Sequence, residues 1–286
     1  MELFERIAAM RAYLAEARAR GERIGFVPTM GFLHKGHLAL IRSAREDDEV
    51  DRVVVSIFVN PLQFGPREDY RDYPRNLERD KKLCLSGGTD ALFVPAVEEM
   101  YPEGFATHVE VTGVTDILCG RSRPGHFRGV ATVVAKLFNI VQPDSAYFGI
   151  KDAQQVVVIR RMVEDLDFPV KIKVHPTVRE EDGLAVSSRN IYLSAEERRA
   201  ATVLYRSLKR AEELVVQGER NGLRLKRFLE DAIGAEPLAR LDYAEVVSWP
   251  DLKPLNELRP GQVLLAVAAY FGRARLIDNL LVEVKA

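Results

Sequence analysis

The sequence of 286 residues is poor in cysteine and tryptophan, with two residues of the first kind and one of the second. Cys84 and Cys119 lie far apart and in no spacing typical of a metal or redox motif, which argues against a disulfide framework. No apolar run is long enough to span a bilayer, and the first residues lack a signal-peptide pattern. Together these absences predict a cytoplasmic protein without a membrane partner.

An excess of charge of one sign is also missing, because 41 basic and 42 acidic residues give a formal net charge of −1. Surfaces that bind nucleic acid are strongly basic. No nucleic-acid partner is therefore expected, although a local basic cluster can still bind a small anion. The chain is long enough to bury a full hydrophobic core and to divide into two domains.

The most informative stretch runs from Val27 to Leu38 and contains two histidines and two glycines. The residues before it, 23–27, predict a short buried strand, and apolar residues at helical spacing after it predict a helix. His34 and His37 therefore lie in a strand-to-helix turn, where unpaired N–H groups and the helix dipole favour an anion such as phosphate. A tight turn whose histidines only hydrogen-bond their neighbours is the alternative, and it stays open at this point.

The first part of the chain alternates predicted helices and strands. Its predicted helices include residues 3–20 and 129–141, and its predicted strands are 51–59, 91–95, a short one at 107–111, 146–148 and 170–174. This alternation predicts an α/β fold with a doubly wound, Rossmann-like parallel sheet. Right-handed crossovers place the loops that follow the strands along one edge, where they converge on one crevice.

Two of these loops carry polar side chains. Asn60 and Gln63 follow the strand at 51–59, and they either face a ligand or serve as turn residues. In the loop Gly149–Asp152, Lys151 is suited to neutralise phosphate charge. Asp152 either caps the next helix, which is the favoured interpretation, or holds a metal-bound water. The arginines within residues 119–129 suggest an anion clamp, with a solvated basic loop as the alternative.

The pattern changes near Pro176, so we expect two domains at residues 1–176 and 177–286. The second is expected to be a smaller α+β domain. Its predicted elements are a lid-like polar loop at 178–190, a long helix from the capping box Ser194–Glu197 to about Gln217, a helix at 223–233 and strands at 241–247, 263–270 and 280–284.

Five stretches, in this order, carry a family resemblance: Val27-Pro-Thr-Met-Gly-Phe-Leu-His-Lys-Gly-His37, Val55-Ser-Ile-Phe-Val-Asn-Pro-Leu-Gln-Phe64, Arg123-Pro-Gly-His-Phe-Arg-Gly129, Phe148-Gly-Ile-Lys-Asp-Ala-Gln-Gln155 and Asp182-Gly-Leu-Ala-Val-Ser-Ser-Arg-Asn190. With them the chain resembles the pantoate–β-alanine ligase (pantothenate synthetase) family over nearly its whole length. That family is part of the nucleotidylyltransferase superfamily, in which a His-x-Gly-His turn and a mobile loop clasp ATP.

The resemblance implies an AMP-forming ligase that is cytoplasmic and homodimeric and uses ATP as a substrate with Mg²⁺. Pantoate would be activated as pantoyl adenylate with release of pyrophosphate, and the amine of β-alanine would then take the acyl group and release AMP. Such chemistry depends on alignment and charge neutralisation. The sequence offers no evident cluster of metal ligands, so Mg²⁺ is expected mainly on phosphate oxygens.

Carried over residue by residue, the resemblance assigns catalysis to His37, His34 and Lys151, with His37 as the candidate proton donor. The residues that it assigns to ATP are Met30, Gly31, Phe32, Leu33, His34, Lys35, Gly36, His37, Gly149, Ile150, Lys151, Asp152, Val178, Val186, Ser187, Ser188 and Arg189. The residues assigned to pantoate and β-alanine are Gln63, Gln155, Asn60 and Arg123. No residue is assigned to a metal.

Two positions depart from the family pattern. Cys119 stands where glutamate is common, which leaves Arg123 without a predicted acidic partner, and Ile150 stands where glutamate often follows the glycine. Two other functions are kept as alternatives. One is a nucleotidyltransferase with a phosphate acceptor, against which Gln63 and Gln155 argue, and the other is a non-catalytic nucleotide-binding module.

Overall fold

The computed structural model describes residues 1–66 and 68–285, which form a parallel and an antiparallel sheet with flanking helices. The parallel sheet consists of β1 (Glu2–Phe4), β2 (Ile24–Thr29), β3 (Arg52–Ile57), β4 (Ala91–Phe93), β5 (Ser145–Gly149) and β6 (Lys171–His175). Their spatial order is β1-β4-β3-β2-β5-β6, so the direction of the strand order reverses between β2 and β5. In open α/β sheets such a reversal is the usual place for a ligand.

Seven helices lie in this part of the described chain: α1 (Ile7–Ala19), α2 (Lys35–Arg45), α3 (Leu77–Gly87), α4 (Val97–Met100), α5 (Leu118–Ser122), α6 (His126–Val141) and α7 (Ala153–Asp165). Phe26 and Val54 face a hydrophobic cluster with α1, α6 and α7, whereas Val27, Val53 and Val55 face a cluster with α2 and α3. Both faces of the sheet are therefore covered, as the continuous apolar run of residues 51–59 predicts. The doubly wound α/β class is confirmed.

The helix predicted over residues 3–20 is wrong at its start, where Glu2–Phe4 forms the edge strand β1. The N–H of Glu2 donates to the carbonyl of Asp90 (2.8 Å), and the N–H of Val94 donates to the carbonyl of Phe4 (2.8 Å). Three residues are too few to show the period of a helix or of a strand, so pairing with β4 decides the outcome. The parallel sheet gains β1, a strand that the sequence does not predict.

Two other predicted elements differ from the structure. The strand predicted at 107–111 is absent from the described chain, because the N–H of Val109 donates to Thr132 Oγ1 of α6 (2.9 Å) instead of to another strand. The long helix predicted from Ser194 to Gln217 is divided into α8 (Ala195–Ala200) and α9 (Val203–Val216). At the break, the hydroxyl of Thr202 donates to the carbonyl of Arg199 (2.8 Å), a local bond that competes with helix continuation.

The remaining elements are α10 (Gly222–Gly234) and the antiparallel strands β7 (Ala239–Ser248), β8 (Gly261–Phe271) and β9 (Ala274–Val284). Along β8, Leu264, Ala266 and Ala268 join the hydrophobic cluster of α6 and α7, while the alternate residues pack against α9 and α10. The smaller C-terminal α+β unit is thus joined to the first by a shared apolar layer. Its division from the first unit at residue 176 stays a prediction.

Within the described residues, no helix combines the length and apolar character needed to cross a membrane.

Candidate active site

A cavity of about 240 Å³ lies at the carboxyl ends of β2, β3 and β5, where the strand order reverses. It is lined by residues from all the loops that the sequence predicts to converge. The predicted site residues that line it are Met30, His34, Gly36, His37, Asn60, Gln63, Arg123, Gly149, Lys151, Asp152, Gln155, Val178, Val186, Ser187, Ser188 and Arg189.

Five predicted ATP residues lie outside the cavity lining in the described chain: Gly31, Phe32, Leu33, Lys35 and Ile150. Leu33 is fully buried in the core below the turn. Lys35 is exposed, and its Nζ lies 3.5 Å from Oε2 of Glu180 in the 178–190 loop. A contact of these residues with ATP stays a prediction.

The histidine turn is held from below by a buried carboxylate that sequence reasoning missed. Asp80 of α3 accepts the backbone N–H groups of Phe32 (2.7 Å) and Leu33 (2.8 Å). Gly31 has φ +81°, and a Cβ there would lie 2.8 Å from Ile57 Cγ2, so glycine is required. The sequence offered one sign of this role. Asp80 precedes Cys84 by four residues, so both side chains lie on the same face of the helix.

The rings of His34 and His37 stack with their centroids 4.0 Å apart. The N–H of Gly36 donates to His34 Nδ1 (3.2 Å), and the N–H of His34 donates to His37 Nδ1 (3.3 Å). A ring nitrogen that accepts carries no proton, so the proton of each neutral ring is assigned to Nε2. The local bonds therefore occupy only Nδ1, and the turn keeps two Nε2–H donors for an anion in the cavity.

Burial lowers the pKa of both imidazoles, to about 2 for His34 and to about 4 for His37. The positive charge of Lys151 acts in the same direction on both rings, while Asp152 opposes it at His37. The folded, ligand-free protein consequently holds both rings neutral at pH values where a free imidazole is already protonated.

We expect the free energy of unfolding of the ligand-free protein to fall as the pH is lowered from about 6.5 toward 4. In this window the unfolded chain binds protons on His34 and His37 and the folded chain does not, so acid favours unfolding. Each imidazole contributes at most about 1.4 kcal/mol per pH unit. Urea unfolding at several pH values should show a shallower slope for His37→Gln than for the wild type. Equal slopes for His37→Gln and the wild type would contradict the buried neutral ring.

The side chain of Gln63 is positioned by Asn60, which is almost fully buried. The amide of Asn60 donates to Gln63 Oε1 (3.1 Å) and to the carbonyl of Gly129 (3.0 Å), and its Oδ1 accepts the hydroxyl of Tyr101 (2.8 Å). The amide nitrogen of Gln63 lies 3.0 Å from Met30 Sδ, which is a weak acceptor. Gln63 therefore presents N–H donors to the cavity, and Asn60 holds the Gln63 side chain in this orientation.

Arg123 has an acidic partner, although Cys119 is not one. Its guanidinium donates two hydrogen bonds to Glu68 (2.6 and 2.7 Å) and one to the carbonyl of Gln63 (3.2 Å). It also donates to His126 Nε2 (3.0 Å), so His126 Nδ1–H donates to the carbonyl of Gln63 (2.8 Å). His126, to which sequence reasoning assigned no role, lines the cavity, and burial lowers its pKa to about 3.

The second loop, with Lys151, is fastened to the C-terminal unit. Asn279 of β9 donates to the carbonyls of Ile150 (3.0 Å) and Lys151 (2.8 Å). Sequence reasoning missed Asn279, although two adjacent polar residues, Asp278 and Asn279, interrupt an apolar strand. Asp152 occupies the N-cap position of α7, but its side chain accepts no hydrogen bond from the helix, so the capping interpretation is wrong.

The loop at 178–190 folds back on itself and is anchored at both ends. The N–H of Val186 donates to the carbonyl of Val178 (3.0 Å). Arg179 donates to both oxygens of Asp278 (2.6 and 2.9 Å), and Arg189 donates to both oxygens of Asp69 (2.9 and 3.0 Å). These contacts hold residues 186–189 at the cavity that the histidine turn and the Lys151 loop also line.

An apolar wall completes the cavity and was also missed as a binding surface. Four residues of α6 at helical spacing form it: Val130, Val133, Val134 and Leu137. The sequence predicts their helix, but periodicity alone cannot separate a core face from a cavity wall. Within residues 1–66 and 68–285, no group of three or more His, Cys, Asp or Glu side chains is arranged to hold a metal ion.

Comparison with known proteins gives one consistent result. A family model described as pantoate-beta-alanine ligase matches residues 2–281. The pantothenate synthetase of Carboxydothermus hydrogenoformans is 58% identical over 285 residues, which covers 99% of this chain and 100% of the relative. The crystal structure of pantothenate synthetase from Thermus thermophilus matches with a TM-score of 0.93 at 54% identity and covers 100% of both chains.

A pantoate-beta-alanine ligase from Francisella tularensis, crystallised with beta-gamma ATP and beta-alanine, matches with a TM-score of 0.79 at 36% identity. The match covers 98% of this chain and 97% of that one. The chain therefore belongs to the pantoate–β-alanine ligase family.

Proposed function

We propose that the cavity joins pantoate to β-alanine at the expense of ATP, in two steps. A carboxylate oxygen of pantoate attacks the α-phosphorus of ATP, and the bond to pyrophosphate breaks. The amine of β-alanine then attacks the acyl carbon of pantoyl adenylate, loses a proton, and AMP leaves. One observation carries the proposal. In a chain of this family, a single cavity contains both anion-binding groups and neutral amide donors.

The anion-binding side is assigned to ATP. His34 and His37 offer Nε2–H donors, Lys151 offers an ammonium group, and Ser187 and Arg189 line the same cavity from the 178–190 loop. These groups neutralise and orient the phosphates before the reaction, which lowers the cost of the developing charge. The 178–190 loop is proposed as the lid that closes over them.

The amide side is assigned to pantoate. Gln63 and Gln155 can bond its hydroxyl groups and carboxylate, and the apolar wall of α6 faces the same space and suits its two methyl groups. Gln154, the neighbour of Gln155, is instead bound by the backbone: its amide donates to the carbonyls of Val114 (2.9 Å) and Ile117 (2.8 Å). Only the second of the two adjacent glutamines therefore points toward substrate.

Mg²⁺ is proposed to enter with the ATP phosphates. Mg²⁺ is commonly bound by one or two carboxylates together with phosphate oxygens and waters. Asp152 fits this need, because its carboxylate is half-exposed, lines the cavity and lies 4.0 Å from Lys151 Nζ. When bound, the ion supplies positive charge on the phosphates. A homodimer and a cytoplasmic location, which the resemblance implies, are part of the proposal.

The test is ATP–pyrophosphate exchange with Mg²⁺, measured with pantoate alone and with pantoate and β-alanine. We expect exchange to require pantoate and not β-alanine, because the adenylate forms before the amine acts. AMP and pantothenate should appear only when β-alanine is added. Exchange that proceeds without pantoate, or none at all in a protein that binds ATP, would contradict the proposed reaction.

A further inference from the structure

Tyr101 directly follows α4 and, in the described chain, lies outside the lining of the active-site cavity. Its hydroxyl nevertheless donates to Oδ1 of Asn60 (2.8 Å), and Asn60 lines that cavity. The ring of Tyr101 packs against those of Phe58 and Phe105, with centroid distances of 5.8 and 4.9 Å. These aromatic contacts hold the ring, so the packing of the ring places the hydroxyl at Asn60.

A chain of hydrogen-bond donors leads from Tyr101 to the active-site cavity. The hydroxyl of Tyr101 donates to Asn60 Oδ1, and the amide of Asn60 donates in turn to Gln63 Oε1 (3.1 Å). Because Oε1 is occupied in this way, Gln63 offers its N–H donors to the cavity. A donor that bonds an amide oxygen polarises the amide and strengthens donation by the amide nitrogen. The Tyr101 hydroxyl therefore strengthens the bond that orients Gln63.

Asn60 depends on this hydroxyl because its oxygen is poorly satisfied without it. Among the described residues, the other donor to Asn60 Oδ1 is the N–H of Leu62, at 3.3 Å. Asn60 is 1% exposed, so water cannot readily replace a lost donor. A buried acceptor that loses its shorter bond is costly to leave unpaired, and the side chain shifts to reduce that cost. Asn60 would then no longer hold Gln63 in its orientation.

We propose that Tyr101 is a positioning residue for pantoate, which acts through Asn60 and Gln63 without touching the substrate. The inference rests on the proposed function, in which Gln63 binds pantoate. The N–H donors of Gln63 match the carboxylate and hydroxyl oxygens of pantoate. If the amide of Gln63 turns, Oε1 faces the carboxylate instead, and two acceptors repel each other. Tyr101 thus favours the orientation of Gln63 that a carboxylate substrate needs.

The test is Tyr101→Phe, which keeps the ring with its packing and removes only the hydroxyl. We expect the KM for pantoate in ATP–pyrophosphate exchange to rise about fivefold, the effect of losing one hydrogen bond between neutral groups. The maximal rate of exchange should stay within about twofold of the wild type, and the KM for ATP should stay unchanged. Thermal unfolding of the same samples shows that the variant is folded.

A double-mutant cycle with Gln63→Met tests the route of the effect. Methionine keeps the length of the side chain but has no amide to orient. In the Gln63→Met protein, the further change Tyr101→Phe should leave kcat/KM for pantoate unchanged. This ratio can be measured even where pantoate does not reach saturation.

A matched control is Tyr192→Phe. The hydroxyl of Tyr192 also donates one hydrogen bond, to the carbonyl of Asp72 (2.9 Å), and Tyr192 lies outside the described lining of the active-site cavity. Its loss should leave the KM for pantoate at the wild-type value.

An unchanged KM for pantoate in folded Tyr101→Phe would overturn the inference. An equal rise in the KM for ATP would overturn it as well, because the hydroxyl would then support the whole cavity and not Gln63. A fivefold loss that persists in the Gln63→Met protein would also overturn it, because the hydroxyl would then act by another route. Absence of exchange in the wild type would instead refute the proposed function, so the two failures are distinguishable.

Discussion

Lys151→Ala is expected to slow pantoyl adenylate formation by about 10²–10³-fold while the protein stays folded. The ammonium group of Lys151 lines the active-site cavity, and its side chain is only 19% exposed, so its charge acts where water screens it weakly. The loop itself does not depend on that side chain, because Asn279 holds it through the carbonyls of Ile150 and Lys151. Loss of the charge should therefore affect the reaction far more than the fold.

The measurement is a single-turnover adenylation assay with ATP and pantoate, paired with thermal unfolding. Lys173→Ala is the matched control. Lys173 lies on the neighbouring strand β6 and binds Glu49 at the surface (2.9 Å), away from the active-site cavity. Lys151→Arg, which keeps a positive charge, should recover part of the rate. A wild-type adenylation rate in Lys151→Ala would eliminate the assigned role.

The fold was predictable where one pattern of apolar residues extends over a long segment. Both faces of β3 are buried, and its continuous apolar run indicates a parallel central strand. The prediction failed for β1, because three residues show no period and their structure depends on pairing with a distant strand. It failed again at Thr202, where the apolar pattern continues but the helix is interrupted and the Thr202 hydroxyl bonds to the carbonyl of Arg199.

The cavity-facing residues were easier to predict than the residues that position them. The loops with His37, Gln63 and Lys151 follow parallel strands, so topology alone brings them together. Asp80 and Asn279 reach these loops from elements far away in the sequence, and a single sequence gives no direct sign of such contacts. Glu68 shows the same limit, because its pairing with Arg123 spans 55 residues.

Gly129→Ala is expected to lower the free energy of unfolding by about 3 kcal/mol and to raise the KM for pantoate. A Cβ on Gly129 would lie 2.2 Å from the carbonyl oxygen of Leu62 and 2.6 Å from the nitrogen of Gln63. Both are backbone atoms of the short turn Pro61–Gln63, which cannot move aside as a flexible side chain can. The turn must shift, and it carries the Gln63 side chain with it.

The same shift would disturb the bond from Asn60 to the carbonyl of Gly129, so Asn60 would no longer hold the Gln63 side chain in its orientation. Gly234→Ala provides the matched control, because Gly234 also lies in a helix and a Cβ there meets nothing within 4 Å. That variant should be neutral or slightly more stable, by about 0.4–1 kcal/mol. Urea unfolding and pantoate titration of the exchange reaction measure both effects. If Gly129→Ala matched the Gly234→Ala control in stability and in the KM for pantoate, close packing of α6 on the turn would not be what positions Gln63.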